Sequence, residues 1–213
     1  MRMPTGPRNE PARRPADRDH PEFRILVICT GNLFRSPLAA GLLQQGFDEV
    51  SPGRFRVDSA GTAGTSGTPV TNDVKSLAAD WGFDLGEFRA RRLRSVDIIE
   101  SDLIIGMERQ HRSQTVILEP SALKRSFTLR EFARIIRPFP AAEGLTSSRR
   151  WTQLVAQAQR SRMPHTDGPE GDDVVDPHED WLRLSETMIE QMVPDVYDIV
   201  DWEYRSIARS PSR

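Results

Sequence analysis

The stretch Ile25-Leu26-Val27-Ile28-Cys29-Thr30-Gly31-Asn32-Leu33-Phe34-Arg35-Ser36-Pro37 limits what this chain can fold into more than any other. Arg24 to Ile28 is a short β-branched and aliphatic run, the pattern of a strand covered on both faces. Ser36 is a good helix N-cap, and Pro37 suits the first helical position, where its missing N–H costs nothing. Leu38, Leu42 and Leu43 continue as a helical apolar stripe. A strand running through a tight loop straight into a helix predicts a parallel sheet, with the loop at its C-terminal edge.

Cys29 and Arg35 lie in that loop. A loop closing onto a helix N-terminus aims several backbone N–H groups at one point, and the helix dipole adds partial positive charge. Gly31 lets the backbone approach an anion closely, and Asn32 tolerates the left-handed conformation. Arg35 can close the ring with a bidentate fork on phosphate oxygens. The same field favours the thiolate form of a cysteine at its centre, and the thiolate is the nucleophile.

The pattern Cys29-x-Gly31-Asn32-x-x-Arg35-Ser36-Pro37 resembles the signature loop of the low-molecular-weight protein tyrosine phosphatases. Six fixed positions match by chance roughly once in tens of millions of start points. The resemblance implies a cysteine-dependent phosphomonoester hydrolase that works through a phosphocysteine, with Cys29 and Arg35 catalytic. The amides of Thr30, Gly31, Asn32, Leu33 and Phe34 would hold the phosphoryl group. The Ser36 hydroxyl would hydrogen-bond the sulfur and help it leave. The resemblance also implies that Ser59, in Ser59-Ala60-Gly61-Thr62, braces Asn32. It calls for neither a metal nor a cofactor. The expected partners are a phosphorylated protein or small phosphoester, and free phosphate.

The family carries its general acid in an Asp-Pro pair before the last helix. Asp176-Pro177 fits that place, and Pro177 holds Asp176 extended. Asp172 and Asp173 are alternatives. Other positions depart from the family pattern. Phe34 stands where many members have a second cysteine, so oxidised Cys29 is expected to lack an internal disulfide partner. Phe88 stands where many have histidine. The loop from Ala63 to Thr68, together with His178 and Glu179, lacks the aromatic pocket walls that relatives often show. Arg89, Arg91 and Arg92 face either incoming anions or solvent. His111 reads as an exposed helix residue without a partner.

Around this centre the chain alternates strands and helices. Phe55 and Val57 mark a second strand, Asp102 to Met107 a third, and Phe127 to Leu129 a fourth. Helices are expected over Ser36–Phe47, from a cap at Thr68 or Thr71 to about Trp81, over Glu108–Leu118, over Arg130–Arg137 and over Trp151–Arg160. A long final helix follows, kinked or restarted at Pro194. This predicts a doubly wound α/β fold, with a mostly parallel four-stranded sheet and helices on both faces. Residues 23–205 form the domain. Residues 138–171 read as a helical insertion, packed beside the active site or over it. Residues 1–22, rich in Pro, Arg and Asp, read as a disordered tail, and 206–213 as a polar one.

Composition narrows the alternatives. A net charge of −2 gives no field for nucleic acid or an anionic membrane. No apolar run reaches the length of a membrane span or of a signal peptide's core, so the expectation is cytoplasmic. A single cysteine among 213 residues excludes an internal disulfide and any relay of cysteines. That counts against an arsenate reductase of this fold, which passes oxidation between cysteines. An arginine phosphatase would carry a small Thr where this chain has Leu33. A phosphate-binding module with weak or lost catalysis is the remaining alternative.

Overall fold

The computed structural model describes residues 22–163, 168–178 and 180–208. The expected tail over residues 1–22 therefore lies outside the described part, apart from Glu22. Four parallel strands, β1 (Phe23–Cys29), β2 (Phe55–Gly61), β3 (Leu103–Gly106) and β4 (Ser126–Thr128), stand in the order β2-β1-β3-β4. Chain order reverses at β1, which pairs with β2 on one side and β3 on the other. Phe23 lies opposite Phe55, and Ile25 lies opposite both Val57 and Leu103. A ligand crevice forms beyond the strand C-termini at such a reversal. Cys29, the last residue of β1, stands at that edge.

The alternating side chains of β1 divide the core. Ile25, Val27 and Cys29 face the larger side, which is covered by α1 (Arg35–Val50), α5 (Leu129–Ile136), α6 (Ser147–Arg160) and α7 (Trp181–Ala208). Leu26 and Ile28 face a smaller cluster with Ile98 of α3 (Ser95–Ile99) and Ala122 of the 3-10 turn Pro120–Arg125. Two helices complete the fold, α2 (Asn72–Asp80), capped by the Thr71 hydroxyl, and α4 (Arg109–Leu118). Among the described residues no helix is long and apolar enough to cross a membrane.

Several expectations are corrected. α1 begins at Arg35, with Phe34 at its N-cap, so Ser36 and Pro37 lie inside the first turn. The Ser36 hydroxyl bonds other loop atoms and caps nothing, which leaves the helix N–H groups to the crevice. α7 runs unbroken through Pro194 as far as Ala208 and includes buried Ser206, so residues 206–208 are helical where a polar tail was expected, and the rest of that expected tail lies outside the described residues.

The helix of the expected insertion lies neither beside nor over the loop of Cys29. Its Trp151 is fully buried between Phe23, Phe47, Phe55, Phe132 and Trp202, with ring centroids 5.2–6.3 Å apart. Phe23 and Phe55 begin their strands, so this aromatic cluster is about 20 Å from Cys29 along β1. Only the segment that follows α6 returns to the crevice.

Candidate active site

The loop after β1 folds around its own sulfur. Asn32 is left-handed, at φ 56°, and is the single non-glycine residue with positive φ among those described. Its backbone N–H donates to Cys29 Sγ at 3.2 Å, and Ser36 Oγ lies 3.0 Å from the same sulfur. The Asn32 amide holds the strained position from the far side. Its Nδ2 donates to Ser36 Oγ at 3.0 Å and Ser59 Oγ at 2.9 Å, and its Oδ1 accepts from the Arg91 N–H at 2.9 Å. Ser59 is thus in bracing position. Arg91 itself pairs with Asp97. Two glycines outside the loop also shape it. A Cβ on Gly61 would stand 2.7 Å from the Thr30 carbonyl oxygen, and one on Gly64 would overlap the Gly31 carbonyl.

Arg35 is 1% exposed, so its charge must be met inside the protein. Nη1 donates to Glu108 and, at 2.9 Å, to the Val174 carbonyl, while Nη2 donates to Asp176. The pair that sequence reasoning separated by 141 positions is therefore in direct contact. Asp172 pairs with Arg134, and Asp173 accepts from the Arg109 N–H at 2.7 Å and from its guanidinium at 3.0 Å. Both alternative acids are occupied in holding the segment that carries Asp176.

The first turn of α4 supplies two residues that sequence reasoning missed. Glu108 caps the helix and receives Arg35. His111, expected to be exposed, is 1% exposed, and its Nε2 lies 2.9 Å from Thr30 Oγ1. Burial, more than any neighbour, pushes this imidazole down to about 4. Glu108 opposes that effect and Arg35 adds to it. The readable signal was position. Met107-Glu108-x-x-His111 directly follows a buried strand, and polar residues there fall on the ligand edge of a parallel sheet.

Cys29, Thr30, Leu33, Phe34 and Arg35, with Ala63, Thr68, Asp176 and His178, line a pocket of about 390 Å³. The aromatic wall missing from the 63–68 loop is built elsewhere. The Phe34 ring stands 5.5 Å from Trp181 and 6.0 Å from His178 between centroids. Glu179 lies outside the described residues. A larger groove behind the loop, of about 640 Å³, contains no part of this ring of groups except Ser59 and Arg91.

Residues 24–137 match the family model described as low molecular weight phosphotyrosine protein phosphatase. The chain belongs to that family. A probable low molecular weight protein-tyrosine-phosphatase, EpsP of Ralstonia nicotianae, is 29% identical over 66% of this chain and 93% of its own length. A protein-arginine-phosphatase of Geobacillus stearothermophilus is 32% identical over 52% of this chain and 71% of its own length. The fold of the phosphatase family recurs in solved structures. The low molecular weight protein tyrosine phosphatase of T. tengcongensis superposes with a TM-score of 0.60, covering 84% of this chain and 99% of that one at 23% identity. The YwlE arginine phosphatase of G. stearothermophilus gives 0.63, covering 90% and 99% at 22% identity.

Proposed function

We propose that this phosphatase hydrolyses phosphotyrosine in protein substrates through a phosphocysteine, with Cys29, Arg35 and Asp176 as its catalytic groups. The observation that carries the reading is their convergence. The sulfur sits inside its loop, held by the Asn32 N–H and the Ser36 hydroxyl, and the buried guanidinium and the Asp-Pro carboxyl share one pocket. An entering monoanionic phosphoryl ester takes the place of Asp176 on Arg35 Nη2, passes its proton to that carboxylate and so leaves a carboxylic acid beside the leaving oxygen. The Cys29 thiolate attacks phosphorus in line, the S–P bond forms, and the P–O bond to the tyrosyl oxygen breaks as Asp176 gives that oxygen its proton. Loop amides and Arg35 stabilise the charge on the equatorial oxygens. Water then attacks phosphorus and gives a proton to Asp176. The S–P bond breaks with help from the Ser36 hydroxyl, and phosphate leaves.

The pocket favours an aryl ester over a phosphoguanidine. Leu33, Phe34, Ala63 and His178 offer apolar and aromatic surface to a phenyl ring. A guanidinium leaving group would need a carboxylate, and among the lining residues the single one is Asp176, already committed to proton transfer. The test is metal-free hydrolysis of p-nitrophenyl phosphate, a phosphotyrosine peptide and a phosphoarginine peptide, with Cys29→Ser beside the wild type. Tyrosine turnover abolished by Cys29→Ser is expected. Preference for phosphoarginine would overturn the substrate, and an inactive wild type that still binds phosphate would leave a binding module.

A further inference from the structure

The mechanism above makes no use of the Thr30–His111 hydrogen bond, and its geometry fixes where the protons are. His111 Nδ1 lies 3.0 Å from the Glu108 backbone nitrogen. A backbone N–H can only donate, so Nδ1 accepts and carries no proton. The proton of the neutral ring is then on Nε2, which donates to Thr30 Oγ1 at 2.9 Å. The ring stays neutral at ordinary pH because burial disfavours its charged form. One lone pair of the Thr30 hydroxyl is thereby filled, and its own proton is left for another acceptor. Thr30 is half-buried and lines the pocket beside Cys29, whereas His111 is enclosed behind it. The pocket that Thr30 lines is where an acceptor for that proton can stand.

We propose that the Thr30 hydroxyl is a further hydrogen-bond donor to the bound phosphoryl group, aimed by His111 as a positioning residue. In the reading above Thr30 contributes only its backbone amide, so this adds a side-chain ligand for the same anion and rests on that reading. The imidazole would also tie the nucleophile loop to the turn that holds Arg35, since Glu108 both donates to the ring and accepts from the guanidinium.

The experiment measures binding of inorganic phosphate by its protection of Cys29 against alkylation, read by mass. With one cysteine in the chain the readout is unambiguous. Thr30→Val keeps the β-branch and removes the hydroxyl, and is expected to weaken phosphate protection about tenfold, the size of one charge-assisted hydrogen bond. Thr30→Ser should recover most of that loss. His111→Asn keeps an acceptor near the Glu108 N–H but cannot reach Thr30, and should match Thr30→Val with α4 intact. The Thr30→Val/His111→Asn double variant should be no weaker than Thr30→Val alone, within about twofold. Unchanged protection in Thr30→Val, an equal loss in Thr30→Ser, or multiplied losses in the double variant would each overturn the proposal. The two Thr30 variants decide it even where a His111 variant fails to fold. Phosphate binding needs no turnover, so a failure of the phosphatase reading would show separately, as an inactive wild type.

Discussion

Two buried arginines stand at opposite ends of the sheet, and their surroundings differ in one respect. At the end away from the crevice, Arg150 is 4% exposed and Glu203 is 0% exposed. Glu203 accepts from Arg150 at 2.6 and 3.0 Å, from Trp151 Nε1 at 2.8 Å, from Ser51 at 2.7 Å and from Ser147 at 2.9 Å. Although burial pushes the other way, the net effect of these donors, Arg150 foremost, holds its carboxyl below the usual range. Every lone pair is met, and the pair ties α6, α7 and the turn after α1 together. At the crevice, Arg35 is as deeply buried, but its carboxylates are not. The Glu108 side chain is 19% exposed and that of Asp176 36%. A closed ion pair serves the fold, whereas the proposed mechanism needs an open one, whose partner an entering phosphoryl group displaces.

The comparison breaks if the two arginines are interchangeable in effect. Arg35→Met should lower kcat/KM about a thousandfold or more, the cost of losing preorganised charge at the transferred group, while Tm changes little because both carboxylates can rehydrate. Arg150→Met should do the reverse. It leaves Glu203 buried without its countercharge and is expected to cost about 3–5 kcal/mol of stability with kcat/KM unchanged, as read by urea unfolding beside steady-state assays. Large stability losses in both variants would erase the distinction.

Asp176→Asn sharpens the open side of the contrast. A fall in kcat of about a hundredfold is expected with a poor leaving group and much less with p-nitrophenol, which needs little protonation. Phosphate should bind this variant at least as tightly as the wild type, because a competing anion has been neutralised on Arg35. Weaker phosphate binding would mean that Asp176 supports the cradle and is not displaced from it.

A smaller effect is expected from pH. His111 is neutral and buried with its value near 4, while in the unfolded chain it takes up a proton near 6.5. Between those values the unfolded state binds more protons, so stability rises with pH across the window and falls as pH drops through it. About 2–3 kcal/mol should be lost by pH 4.5 relative to neutral pH, and His111→Asn should flatten that slope in acid unfolding curves. An unchanged slope would assign the acid sensitivity to other groups.

What could be read from sequence followed contiguity. β1, the loop and α1 are one run of chain, so spacing carried their geometry, and Asp176, which contacts Arg35, was singled out through the dipeptide it forms with Pro177. Glu108 and His111 were not readable in that way. They reach Arg35 and Thr30 only because β3 pairs with β1, which brings together residues 73 and 81 positions apart. The apolar stripe through Trp151, Leu154, Val155 and Ala158 showed that α6 is buried, but a stripe does not say against what, and it proved to cover the far ends of β1 and β2. The aromatic wall was sought at its familiar positions, whereas here Phe34 and His178 line the pocket from two distant segments, with Trp181 packed against Phe34.

The two glycines behind the loop bear on portability. Gly61 closes β2, and Gly64 follows three residues later; each touches the back of the anion cradle where any side chain would collide with it. The eight residues from Cys29 to Ser36 are therefore only half of the mould. Grafted alone onto another parallel sheet, they would carry the nucleophile and the arginine but would lack the bare neighbouring strand end against which the loop is pressed. A designer moving this site to a new scaffold has to transplant the gap along with the motif.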